Sequence, residues 1–240
     1  MKKIPSWVAA QEVERDFWDG MIRDDQSILR VLADNAAKAP QVRSCFAGTP
    51  QACLEVGVGP IGLGISGFLP EIPRRFALDP LPPVPLEPRA DAPTRSSEDL
   101  RMYIRHQRAQ LHYLVGCGEE IPVRSESMDL VICCNAIDHA SDPRAILGEV
   151  HRVLKPNGAF FFDVDTFSLL GMVKWHAWTS YAHKDEILVK AHPYRMYEPD
   201  LVRMLQSCRF KLQKLGGHTL TSNWIGHARN STFVGSKCLP

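Results

Sequence analysis

Glu55, Gly57, Gly59, Gly62 and Asp79 are the residues whose types and spacing first suggest chemistry. The three glycines fit G-x-G-x-x-G, which lets backbone approach a nucleotide at the carboxyl edge of a parallel sheet. Alone the pattern often marks only a turn. Glu55 stands two residues before the first glycine, where a carboxylate can receive an ammonium group. Asp79 closes the apolar run 75–79, 22 residues past Gly57. A carboxylate at that distance is placed to accept both hydroxyls of a ribose.

An adenosine ligand fits these residues, and two common cofactors carry one. NAD needs free helix N–H groups for its pyrophosphate. S-adenosylmethionine (SAM) has no phosphate; it has an amine, a carboxylate and a sulfonium. Pro60 removes one donor from the turn, and Glu55 would repel a pyrophosphate. Both favour SAM.

With SAM bound, chemistry centres on its methyl group. Asn135 ends the apolar run 128–135, on the same edge as the glycines, and Asp138 and His139 follow directly. His139 can serve as a general base toward a hydroxyl, or simply cap or bond the loop. Asp138 can orient His139, help hold the SAM amine, or be a solvated carboxylate. Trp175, His176, Trp178, Tyr181 and His183 follow the next apolar run. They can stabilise a sulfonium through their aromatic faces or pack as ordinary core. The cluster 192–195, ending in Arg195, can bind an acidic acceptor or make a turn. No spacing among His176, His183 and His192 suggests a metal site.

The elements that must position these groups read clearly. Residues 52–56, 75–79, 111–115, 128–135 and 159–164 are apolar runs alternating with helical or turn segments. Run 128–135 is nearly continuous, as in a strand covered on both faces. The alternation predicts a doubly wound, mostly parallel α/β sheet. A helix start is expected at 65–69, and another at Ser141-Asp142-Pro143, where a capping residue precedes proline. Residues 210–215 and 231–235 read as two final strands. Helical spacing over 6–19 and 26–39 makes residues 1–49 a helical extension. Its expected role is a lid over the ligand, with Phe17 and Trp18 touching it, ahead of a SAM-binding domain at 50–240. The proline-rich stretch 80–88 reads as a stiff surface connector.

Composition sets the outer bounds. The 240 residues carry 28 Lys+Arg against 27 Asp+Glu, a net charge of +1, so no strong field for nucleic acid or an anionic membrane is present. No apolar run is long enough to span a bilayer, and the first residues lack a secretory hydrophobic core. The seven cysteines form no C-x-x-C pair, which suits reduced thiols in a cytoplasmic protein.

Taken in order, L-E-V-G-V-G-P-I-G-L, F-A-L-D-P, G-C-G-E-E-I-P-V-R-S-E-S-M-D-L-V-I-C-C-N-A-I-D-H and P-R-A-I-L-G-E-V-H-R-V-L-K-P-N-G-A-F-F-F resemble the motifs of class I SAM-dependent methyltransferases of the small-molecule type. The resemblance covers residues 51–164. It implies a seven-stranded sheet with an antiparallel last strand, SAM as cofactor and a small-molecule acceptor. It implies that Glu55, Gly57, Gly59, Asp79 and Asn135 bind the cofactor, and that an acceptor pocket follows the fifth strand. Many relatives have an acid where Cys117 stands, and a thiol is a poor acceptor. The adenine is therefore expected on the backbone of Gly118 and the side chain of Glu119. His139, Asp138 and Tyr181 are the candidate catalytic residues. Two other readings stay open: a SAM-consuming cyclase that forms an azetidine ring and releases methylthioadenosine, and a non-catalytic SAM-binding protein. An NAD dehydrogenase is the remaining, more distant one.

Overall fold

The structure is a computed structural model that describes residues 5–46, 48–85, 98–181, 194–217 and 228–238. Two helices come first, α1 (Pro5–Met21) and α2 (Asp25–Arg43). Five parallel strands follow: β1 (Ala52–Val56), β2 (Arg74–Asp79), β3 (His112–Val115), β4 (Met128–Cys134) and β5 (Leu154–Phe167). Between them lie α3 (Glu98–Arg108) and α4 (Pro143–Val153). The chain then forms α5 (Leu169–Tyr181), a short β6 (Met196–Tyr197), α6 (Glu198–Ser207), β7 (Phe210–Lys214) and β8 (Ala228–Lys237).

The sheet order is β3-β2-β1-β4-β5-β8-β7, with β6 pairing beside β5. β8 runs antiparallel to both β5 and β7. The order reverses between β1 and β4, the place where ligands settle in such sheets. The expected α/β class, the parallel strands and the two final strands are all present.

Each run forms its element for a local reason. β1 is buried at all five positions, Glu55 included, as a strand covered on both faces is. α4 starts as expected: Asp142 accepts the N–H groups of Arg144 and Ala145, and Pro143 takes the first helical position. One face of the sheet packs Leu54, Val131, Phe160 and Phe162 under α4 and α6.

The other face departs from the sequence reading in two ways. First, the helix expected after the glycines is only a 3₁₀ turn, Ile65–Phe68, because Pro73 and β2 follow at once. Second, α2 fills the space left over. Its Ala39 and Val42 pack with Cys53, Leu130, Ile132 and Phe161 on the sheet, and its Ile28 and Leu32 pack with Ile61, Leu63 and Ile104. Residues 25–43 therefore form a wall of the core. No helix among the described residues is long and apolar enough to cross a membrane.

Candidate active site

A cavity of about 680 Å³ opens at the carboxyl ends of β1, β2 and β4. Its floor is residues 56–60, 78–81, 116–119 and 134–136. Its roof is one stripe of α1, Trp7, Gln11, Glu14 and Trp18, together with Asp34, Lys38 and Gln41 of α2. The spacing 7, 11, 14, 18 puts all four α1 residues on a single helical face.

The glycine bend is built for close approach. Gly57 has φ +79°, and a Cβ there would lie 2.3 Å from Ala136 Cβ on the facing loop. Gly59 has φ +71°, and its Cβ would meet the Trp18 ring at 2.9 Å. Only glycine suits such positions. The bend is held by Arg108 of α3, whose guanidinium donates to the carbonyls of Ile61, Pro60 (3.1 Å) and Val84 (2.9 Å). Burial without a carboxylate partner brings the Arg108 pKa down to about 10.

Asp79 is where the pattern placed it. One carboxylate oxygen accepts the Gly59 N–H at 2.8 Å and the other the Leu81 N–H at 2.9 Å. The residue is buried, and burial pushes its pKa up to about 6 against those two hydrogen bonds. A carboxylate fixed at the rim of a glycine bend suits two vicinal hydroxyls.

Glu55 takes a different part from the expected one. It does not line the cavity; its two oxygens accept the N–H groups of Ile65 (2.9 Å) and Ser66 (2.8 Å). It caps the 3₁₀ turn, whose first N–H groups have no partner within the turn. Burial raises its pKa, and the Ser66 and Ile65 bonds oppose that rise. Gly64 is the residue that lets the carboxylate in, since a Cβ there would lie 2.3 Å from it.

Glu119 lines the cavity, but one oxygen is committed to the start of α4. It accepts the Ser141 N–H at 2.7 Å, the Ser141 hydroxyl at 2.8 Å and the Asp142 N–H at 3.2 Å. Gly118 lies against Val56 and Ile146, forming a flat apolar slot suited to an aromatic base. Asn135 lines the cavity with φ +46°, its N–H on the Asp163 carbonyl at 2.8 Å.

The fold is shared with known proteins. A methyltransferase-domain family model matches residues 90–162. The YcgJ protein of Bacillus subtilis superposes with a TM-score of 0.60 at 13% identity, covering 87% of this chain and 100% of that one. A Thermotoga maritima SAM-dependent methyltransferase, a possible histamine N-methyltransferase, superposes at 0.56 with 16% identity, covering 97% and 100%. A thiol S-methyltransferase of Rattus norvegicus is 41% identical over 51 residues. That match spans 21% of this chain and 21% of the relative. The chain is similar to class I SAM-dependent methyltransferases over part of its length and has their fold.

Within that family's frame, the remaining candidates fall as follows. His139 lines the cavity with Nδ1 3.3 Å from Glu14 and Nε2 3.8 Å from Asp138. Asp138 is buried behind it and not in the cavity wall, so it is neither a solvated carboxylate nor a direct ligand of the cavity. Glu14 also accepts the Trp18 indole N–H at 3.1 Å within α1, and its contact with His139 ties that helix across the site. Phe17, expected to touch the ligand with Trp18, is half exposed and lies edge-on to Trp18 outside the cavity. Tyr181 ends α5, but its side chain, like that of Trp178, lies outside the described residues, as do His183 and His192. Arg195 stacks 4.1 Å over the Trp175 ring, away from the cavity wall. No cluster of metal-ligating residues is present among those described.

Sequence reasoning missed Trp7, Glu14, Lys38 and Arg108. Lys38 reaches Asp163 of β5 at 2.9 Å. The signal available for the first two was the α1 stripe; nothing local marked Lys38 or Arg108.

Proposed function

We propose that the chain transfers a methyl group from SAM to a small-molecule acceptor. The observation that carries this reading is the enclosure of one cavity by two parts. The glycine bend, Asp79 and the Asn135 turn form an adenosyl seat, and α1 and α2 close a modest space above it. That space, about 680 Å³ in all, is of a size that suits a small acceptor.

Gly118, beside Ile146, would hold the adenine. Asp79 would accept the ribose hydroxyls. The Asn135–His139 edge would then face the sulfonium. An acceptor lone pair forms a bond to the methyl carbon as the carbon–sulfur bond breaks. The electron pair goes to sulfur, and the leaving thioether is neutral and needs no acid. Holding the two reactants in line supplies on the order of 7–11 kcal/mol for well-oriented groups. For a hydroxyl acceptor His139 would take the proton on Nε2, with Glu14 beside Nδ1 orienting the ring.

The test is incubation with methyl-labelled SAM and pooled small-molecule fractions. Labelled product with stoichiometric S-adenosylhomocysteine supports the reading. Methylthioadenosine formed from SAM alone would replace it with cyclase chemistry.

A further inference from the structure

We infer that Lys38, held in place by Asp163, receives the methionine carboxylate of SAM and so makes the site specific for the whole cofactor over adenosine thioethers that lack the carboxylate. The inference rests on the SAM reading above and names a residue of that same site.

Charge is the first argument. SAM carries one anionic group. Among the described residues lining the cavity, Glu14, Asp34, Asp79 and Glu119 are acids, and Lys38 is the one lysine or arginine. A carboxylate brought into the cavity meets repulsion everywhere except at that ammonium.

Position is the second. Asp79 fixes the ribose end beside Gly59. From there the cavity floor passes Gly57, which abuts Ala136, and reaches Asn135 and Cys134. Cys134 pairs with Asp163 across the β4–β5 register, and Asp163 is the residue that Lys38 contacts. The far end of a ligand anchored at Asp79 therefore points toward Lys38.

Donor geometry is the third. An ammonium has three N–H donors. One is directed at Asp163 Oδ2, 2.9 Å away, and two can go to a carboxylate. The Lys38 side chain keeps 25% of its exposure and lines the cavity, while that of Asp163 keeps 2%. The aspartate is thus a positioning residue behind the lysine. Glu55, which the sequence placed nearest the amino-acid end, is committed to backbone N–H groups and leaves that end to other residues.

Calorimetric titration with three ligands tests this: S-adenosylhomocysteine, its decarboxylated analogue, and methylthioadenosine. The full-length protein should bind S-adenosylhomocysteine about 10- to 100-fold more tightly than the decarboxylated analogue, as expected for a hydrogen bond between charged groups. Lys38→Met should bring the two to equal affinity and leave methylthioadenosine unchanged, which also reports an intact fold. Lys38→Arg should restore part of the preference. A K38M/D163N double variant guards against an uncompensated buried aspartate and should behave as K38M. Discrimination that survives in K38M, or equal loss for all three ligands, overturns the inference. If the unaltered protein binds none of the three, the SAM reading itself falls first.

Discussion

Asp79 sits at a protonation balance that ligand binding must resolve. Its carboxyl is raised from 3.8 to about 6 by burial, so the ligand-free protein holds a proton there that the unfolded chain releases earlier. The sign follows directly: this group disfavours folding increasingly as pH rises from about 4 to about 6, by on the order of 3 kcal/mol. Ribose hydroxyls donate to the ionised form. Affinity for S-adenosylhomocysteine should therefore fall about tenfold between pH 7 and pH 5. Asp79→Asn should flatten that profile and weaken binding at pH 7; titration at several pH values checks both. Glu55 belongs to the same scale but has a different job. Glu55→Ala strands two buried N–H groups on the 3₁₀ turn, so unfolding should become easier by about 1–3 kcal/mol in denaturant titration. Glu55 was misread because strand position shows only that a carboxylate stands near the glycines. Which donors it meets depends on the path of the loop through Gly64, which brings the Ile65 and Ser66 N–H groups onto it.

At the scale of elements, the glycine bend is held from outside its own segment. Arg108 gathers three of its neighbouring carbonyls, and the Asn35 amide of α2 donates to Leu63 at 3.3 Å. Arg108→Met should lower the melting temperature and weaken S-adenosylhomocysteine binding together, because it leaves buried carbonyls unpaired at about 1–3 kcal/mol. Differential scanning fluorimetry with and without ligand reads both. α1 is fastened differently, by Glu14 to His139 and by Trp18 over Gly59. Trp18→Ala should speed ligand release several-fold with little loss of global stability, which stopped-flow displacement would resolve. The strands were legible because parallel strands buried on both faces leave long apolar runs. α4 was legible from its cap and proline. The collapse of residues 65–69 to one turn, and the insertion of α2 in the vacant space, were not. They follow from long-range packing among residues such as Val42, Ile65 and Phe161, whose types would suit many partners.

For the molecule as a whole, the N-terminal helices and the sheet make one enclosure. Their shared cores and the Lys38–Asp163 bridge join what the sequence divided near residue 50. The cavity is a property of that assembly: the sheet edge supplies its floor, and the helices supply most of the remaining wall. The most direct measurement is parallel calorimetric titration of the full-length protein with S-adenosylhomocysteine and with NAD, repeated on Asp79→Asn. The account predicts saturable binding of S-adenosylhomocysteine, at least about tenfold weaker in the variant, and no heat from NAD. Binding of NAD, or S-adenosylhomocysteine affinity indifferent to Asp79, would contradict it.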